Sequence, residues 1–84
     1  MLLNIIKSLP EGYVEGVYNG AKYSITKQTF NKGRSFKIFA KELKGNDFIS
    51  LNYYLTSENE LLKPCEMPAQ KVIDFLKEVE ILID

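Results

Sequence analysis

The chain has 84 residues, 45% of them hydrophobic and 26% charged, which are the size and composition of one small globular domain spanning residues 1–84. Histidine is absent and Cys65 is the single cysteine, which excludes a zinc tetrad, a histidine-activated nucleophile and an intramolecular disulfide. Eleven basic and eleven acidic residues balance in number, but the basic ones are concentrated in the middle of the chain.

An apolar stripe at the start of the chain predicts a short N-terminal helix. The helix should stop before Pro10, because a proline disfavours helical backbone in the residue before it. Asn4 and Lys7 interrupt the stripe too early for a signal peptide, and no basic leader precedes it. No apolar run approaches the ~20 residues of a membrane span. The sequence therefore predicts a cytoplasmic protein without a membrane partner.

Four segments rich in β-branched and aromatic residues follow, and turn signals separate them. The strongest turn signal is Asn19-Gly20, because both residues accept the positive φ of a type I′ hairpin turn. The pattern predicts an antiparallel meander of four strands, or of five if Leu61–Lys63 forms a further short strand. The four main predicted strands are Gly12–Tyr18, Lys22–Phe30, Ser35–Leu43 and Phe48–Thr56.

The last segment predicts an amphipathic helix. Pro68 suits a helix start, because its missing N–H would lack a partner there in any case. The apolar residues that follow have helical spacing and are Val72, Ile73, Phe75, Leu76 and Val79. The predicted fold is thus α+β: a twisted four- or five-stranded antiparallel β-meander packed by the C-terminal amphipathic helix, with a short N-terminal helix.

Alternation along the strands assigns two faces to the predicted sheet. The predicted core face includes Tyr23, Ile25, Phe36, Ile38, Ala40, Ile49, Leu51, Tyr53 and Leu55. The outward residues of the same strands are Lys22, Ser24, Thr26, Gln28, Lys37, Phe39, Lys41, Phe48, Ser50, Asn52 and Tyr54. Three aromatic rings among these polar residues need an explanation. The three alternatives are burial of the rings by curling of the sheet or by the N-terminal helix, a homodimer interface, and a platform for stacked bases.

Charge favours the third alternative. Residues 21–45 hold seven basic side chains against Glu42, whereas residues 46–84 hold three against eight acidic ones. A basic, aromatic sheet surface is typical of proteins that bind single-stranded nucleic acid. We predict a non-enzymatic, homodimeric module without cofactor or metal that binds DNA or RNA strands. The predicted contacts are Lys22, Lys27, Arg34, Lys37, Phe39, Lys41, Phe48, Asn52 and Tyr54. The runner-up is a homodimeric protein-interaction module.

Residues 34–80 resemble the transcriptional positive cofactor four family, whose members bind single strands and share a Whirly-type design. The similar runs are Arg34–Ile38, Leu43–Gly45, Phe48–Tyr54 and Glu60–Pro64. The resemblance implies a curved antiparallel sheet closed by a C-terminal helix, and a dimer whose basic strands hold unpaired DNA or RNA. On the matching strand positions it implies Lys37, Lys41, Asn52 and Tyr54 as contacts.

Cys65 lies in the segment Lys63-Pro64-Cys65-Glu66-Met67-Pro68, just before the predicted C-terminal helix. This segment is similar to a segment of short bacterial proteins labelled peptide methionine sulfoxide reductases. The similarity implies a third candidate function, after nucleic-acid binding and protein interaction, in which Cys65 is the redox nucleophile. A thiol near a helix start can be reactive. The other interpretation is a small, buried residue in the connection between strand and helix.

Overall fold

Residues 2–82, which the computed structural model describes, form an α+β fold and confirm the predicted class. The sheet within this range has six strands, one more than the largest number expected from the sequence. The elements are α1 (Leu2–Ser8), β1 (Gly12–Tyr18), β2 (Ala21–Phe30), β3 (Ser35–Glu42), β4 (Phe48–Leu55), β5 (Glu60–Pro64), α2 (Ala69–Glu78) and β6 (Glu80–Leu82).

The sheet has the strand order β5-β4-β3-β2-β1-β6, and every pairing is antiparallel. Strands β1 to β5 are joined as consecutive hairpins. The first hairpin turns at Asn19 and Gly20, whose φ angles of 51° and 76° fit the predicted type I′ turn. After β5 the chain passes through α2 and returns as β6 beside β1, at the opposite edge of the sheet.

Both helices pack on the same face of the sheet. Val72, Phe75 and Leu76 of α2 are buried, as the predicted apolar stripe requires, and Ile6 of α1 is fully buried beside them. They complete a core whose sheet residues come mainly from β2, β3 and β4 and are Tyr23, Ile25, Phe36, Ile38, Ala40, Ile49, Leu51 and Tyr53. Within residues 2–82, neither helix is both long and apolar enough to cross a membrane.

Strand β6 was not predicted from the sequence. Helix α2 ends before Val79, whose ψ of 136° is extended, and the next three residues pair with Glu15–Val17 of β1. Gly16 makes this close approach possible. A Cβ atom at position 16 would lie 2.9 Å from Val79 Cγ2 and 3.0 Å from the Glu80 carbonyl oxygen. The absence of a side chain at Gly16 therefore permits the sixth strand to dock.

The position of Lys27 contradicts its predicted role as a nucleic-acid contact. It lies on the core face and is 5% exposed, because its ammonium donates hydrogen bonds of 2.8 Å to the carbonyl oxygens of Ile6 and Leu9. These carbonyls are at the end of α1 and just beyond it, where helical backbone leaves acceptors unpaired. Burial lowers the pKa of Lys27, and the nearby Glu11 carboxylate opposes that shift. Lys27 therefore holds α1 on the sheet and is not available to a ligand.

Candidate functional site

The candidate site is the side of the sheet away from α1 and α2, which we call the open face. Directly opposed residues of antiparallel strands share a face, so the register identifies its members. Thr26, Phe39 and Ser50 form one row across β2, β3 and β4. Core and open-face residues alternate as predicted from the sequence. Because α1 packs on the core side, the interpretation that it covers the outward rings is wrong.

Two phenylalanine rings form the centre of the open face. Phe39 is 42% exposed and Phe48 is 36% exposed. Their ring centroids are 6.2 Å apart and their planes differ by 29°, so the two rings are stacked. They are diagonal neighbours on β3 and β4, because Phe48 is directly opposite Lys41. The pair thus presents exposed aromatic surface to solvent.

Lysine side chains flank these rings. Lys37 and Lys41 stand on either side of Phe39 along β3, with Cα atoms about 13 Å apart at the usual rise per residue. Asn52 lies between Lys37 and Lys63, because β3 and β5 both pair with β4. The ion pairs found within residues 2–82 are Lys22–Glu15 and Lys71–Asp47. Lys37, Lys41 and Lys63 therefore carry charges that these pairs leave uncompensated.

The open face changes charge towards β1 and β6. Glu15 lies on it directly opposite Ser24, and its carboxylate is 3.9 Å from the Lys22 ammonium. Glu15 also accepts a hydrogen bond of 3.0 Å from the Tyr13 hydroxyl, and this bond raises the pKa of Tyr13. Lys22 is on the predicted face, but its charge is partly compensated. The uncompensated basic part of the open face therefore extends over β3, β4 and β5.

At the other end of the face, Tyr54 and Arg34 border a wide, shallow surface groove. Tyr54 is partly buried near the end of β4, and Arg34 is exposed just before β3 begins. The groove lies where β3, β4 and β5 meet their connecting turns. Its lining residues are Asn31, Arg34, Ser35, Tyr54, Leu55, Thr56, Leu61 and Lys63. Eight of the nine predicted contacts thus lie on or beside the open face, and Lys27 does not.

A polar cluster fixes the turn from which β4 begins. Asp47 accepts a hydrogen bond of 2.8 Å from the Tyr23 hydroxyl and forms an ion pair of 2.6 Å with Lys71 of α2. Lys71, followed by Tyr23, holds the pKa of Asp47 below its ordinary value, while burial and the Asp47 carboxylate raise the pKa of Tyr23. Because Asp47 directly precedes Phe48, the cluster fixes one ring of the stacked pair through its backbone.

Cys65 lies at the β5 edge and is partly buried. Its backbone N–H donates to the carbonyl of Ser50, and its Sγ accepts a long hydrogen bond of 3.7 Å from Asn52 Nδ2. Within residues 2–82 no group of three or more residues suited to binding a metal ion is found. A role for Cys65 as a redox nucleophile stays a prediction.

Sequence reasoning missed two kinds of open-face residue. Lys63 is beside Asn52, but this became apparent only from the pairing of β5 with β4. Tyr13, Phe30 and Leu61 are 63%, 47% and 45% exposed and extend the apolar surface towards its edges. Side chains alternate between the two faces along a strand, which puts Asn52 and Tyr54 on the open face. The same alternation along β5 would have placed Lys63 and Leu61 on that face as well.

Comparison with known proteins adds no family assignment. No protein-family model matches the sequence, and no curated protein or solved structure shows a significant similarity.

Proposed function

We propose that the protein is a non-enzymatic module that binds single-stranded nucleic acid with low sequence specificity through its open face. The observation that carries the proposal is the stacked Phe39–Phe48 pair, exposed to solvent and flanked by Lys37 and Lys41. Aromatic platforms beside a basic groove are how many proteins hold unpaired strands. The proposal keeps Lys22, Arg34, Asn52 and Tyr54 as peripheral contacts.

The spacing of rings and cations suits an extended strand. The Lys37 and Lys41 side chains leave the sheet on either side of Phe39, so that phosphates can be bound while a base lies on the ring. Base–aromatic stacking supplies about 1–3 kcal/mol per base. Two stacked bases supply about 2–6 kcal/mol, and the lysine–phosphate contacts must supply the rest of the roughly 8 kcal/mol that corresponds to micromolar binding.

Unpaired strands fit this surface better than a duplex. Exposed aromatic rings can stack on the π-faces of unpaired bases, whereas the π-faces of bases in a duplex are covered by their neighbours in the stack. Stacking also tolerates every base, because each base has a π-face. The amide of Asn52 is the best-placed group to read a base edge, but its Nδ2 is already directed to Cys65. These features support binding with little sequence preference.

The direct test is fluorescence anisotropy with a labelled thymidine oligonucleotide at ~50 and ~200 mM salt. Three lysine–phosphate contacts predict that the affinity falls about 20-fold between these concentrations. A duplex of the same length should compete poorly. Lys77→Ala, which removes an exposed charge from α2 on the other side of the molecule, is the matched control for Lys37→Ala. An absence of binding at both salt concentrations would refute the proposal.

A homodimeric interaction module is the second candidate, and one observation favours it. The large apolar side chains found exposed within residues 2–82 are all on or bordering the open face: Tyr13, Phe30, Phe39, Leu43, Phe48, Leu61 and Leu82. Such a patch is typical of a protein–protein interface. Sedimentation of the wild type and Phe39→Ala separates the candidates, because this alternative requires self-association that the substitution abolishes without any oligonucleotide present.

A further inference from the structure

The groove at the end of the open face has a chemistry of its own. Its eight lining residues include the basic Arg34 and Lys63 and the hydroxyl-bearing Ser35, Tyr54 and Thr56, and none of the eight is acidic. The hollow at the other end of β3, by contrast, includes Glu15 and Glu42 in its lining. The open face is therefore cationic at one end and mixed in charge at the other.

The backbone around Arg34 is firmly held. Its N–H donates to the Phe30 carbonyl at 3.2 Å, and its own carbonyl accepts a hydrogen bond of 2.7 Å from the Leu55 N–H at the end of β4. The preceding turn contains Asn31 and Lys32 with φ angles of 53° and 58°. Non-glycine residues adopt this left-handed conformation at some cost, and such strain is often found at functional sites. The base of the Arg34 side chain is thus fixed beside the groove.

The groove offers donors of a particular kind. Ser35 Oγ accepts a hydrogen bond of 2.9 Å from Asn31 Nδ2, which leaves its own O–H to donate elsewhere. The Tyr54 hydroxyl is a further donor, and the Arg34 guanidinium and the Lys63 ammonium supply positive charge. Thr56 Oγ1 already donates to the Asn59 carbonyl, so we assign it no role. Charged donors combined with a hydroxyl and a tyrosine suit a phosphate group.

We propose that this groove binds the terminal phosphate monoester of a nucleic-acid strand whose bases occupy the Phe39–Phe48 pair. The inference rests on the proposed function and adds to it that the protein recognises strand ends. A monoester carries a charge of about −1.5 to −2 at neutral pH and three acceptor oxygens, whereas an internal diester carries a single charge. A groove with two cations therefore distinguishes the end of a strand from its middle.

The geometry also gives the bound strand a direction. Ser35 and Tyr54 at the Arg34 end of the groove are four residues from Phe39 on β3 and six residues from Phe48 on β4, which is about 13 Å and 20 Å along the strands. Lys63, Asn52 and Lys37 form one row across the sheet, so a strand whose terminal phosphate is bound between Arg34 and Lys63 crosses this row before its bases reach Phe39. The groove therefore determines which end of the strand lies over β4 and β5.

The test compares three labelled thymidine oligonucleotides of one length: one with a 5′ phosphate, one with a 3′ phosphate and one with hydroxyls at both ends. One phosphorylated form should bind about tenfold more tightly than the hydroxyl form, as expected for two added charge-assisted contacts. Arg34→Ala and Lys63→Ala should each lower the ratio of the affinities for the phosphorylated and hydroxyl forms, although each also weakens binding of the hydroxyl form. Lys77→Ala should retain the full preference.

The outcomes separate the two proposals. Equal affinity for all three oligonucleotides would overturn end recognition and leave the proposed function intact. A preference that survives both substitutions would also overturn it, because the phosphate would then bind elsewhere. If none of the oligonucleotides binds, the proposed function fails and end recognition fails with it. Because Arg34 and Lys63 are both exposed, we expect both variants to keep the fold, and circular dichroism of each variant checks this.

Discussion

Lys27 gives the sharpest test of how the two layers are held together. Lys27→Met keeps an unbranched apolar side chain and removes the ammonium, which donates to the Ile6 and Leu9 carbonyls and lies 5.6 Å from the centre of the Phe36 ring. Each buried carbonyl left without a donor costs about 1–3 kcal/mol. Part of this loss is offset because the variant no longer has the energetic cost of desolvating the ammonium. We expect the free energy of unfolding to fall by about 2–4 kcal/mol. A chain of this length has roughly 4–13 kcal/mol in total.

Urea and thermal unfolding, followed by circular dichroism, measure this effect. A loss of this size lowers the midpoint temperature by roughly 8–30 °C. Lys22→Met is the matched control, because Lys22 is on the same strand but exposed on the open face, with a distant ion pair at 3.9 Å. Its effect should stay within about 0.5 kcal/mol. A change this small for Lys27→Met would refute the view that the amine anchors α1.

Three further substitutions test the open face, the β3–β4 turn and the sixth strand. Phe39→Ala should weaken oligonucleotide binding about 5- to 150-fold, which is the equivalent of one stacking contact. In the same anisotropy assay, Tyr13→Ala at the acidic end of the face should bind nearly as tightly as the wild type. Equal losses of affinity in the two variants would contradict the assigned site. Because Lys71 holds the pKa of Asp47 low, the unfolded state binds the proton more readily, and stability should fall as the pH drops below about 4. Asp47→Asn should make the free energy of unfolding, measured by urea titration at low and neutral pH, less dependent on pH. The same pH dependence in the variant and the wild type would contradict the role assigned to Asp47. Gly16→Ala should lower the free energy of unfolding by about 1–3 kcal/mol and increase amide exchange in β6, whereas unchanged exchange would show that the clash relaxes elsewhere.

The meander could be predicted because local signals determine it. Polar turns bound each of the first four strands, and the observed limits of those strands differ from the prediction by one residue at most. Period-two alternation also assigned the two faces of β2, β3 and β4 correctly. These features depend on neighbours in sequence, so one sequence contains enough information to place them.

Strand β6 and Lys27 could not be placed in the same way. Three residues, Glu80–Leu82, are too few to show alternation, and their conformation depends on pairing with β1, which is distant in sequence. Lys27 follows Tyr23 and Ile25 on the core side of β2, but a lysine there is expected only with a buried partner. Its partners are backbone carbonyls at the end of α1, and no sequence pattern indicates them.

The placement of both helices on one side has a practical consequence. Side chains such as Thr26, Gln28 and Ser50 line a shallow depression in solvent and add little to the packed interior. Randomised libraries at these positions should yield many folded variants, from which binders to new targets can be selected. The scaffold separates the residues that specify its architecture from those that meet its surroundings.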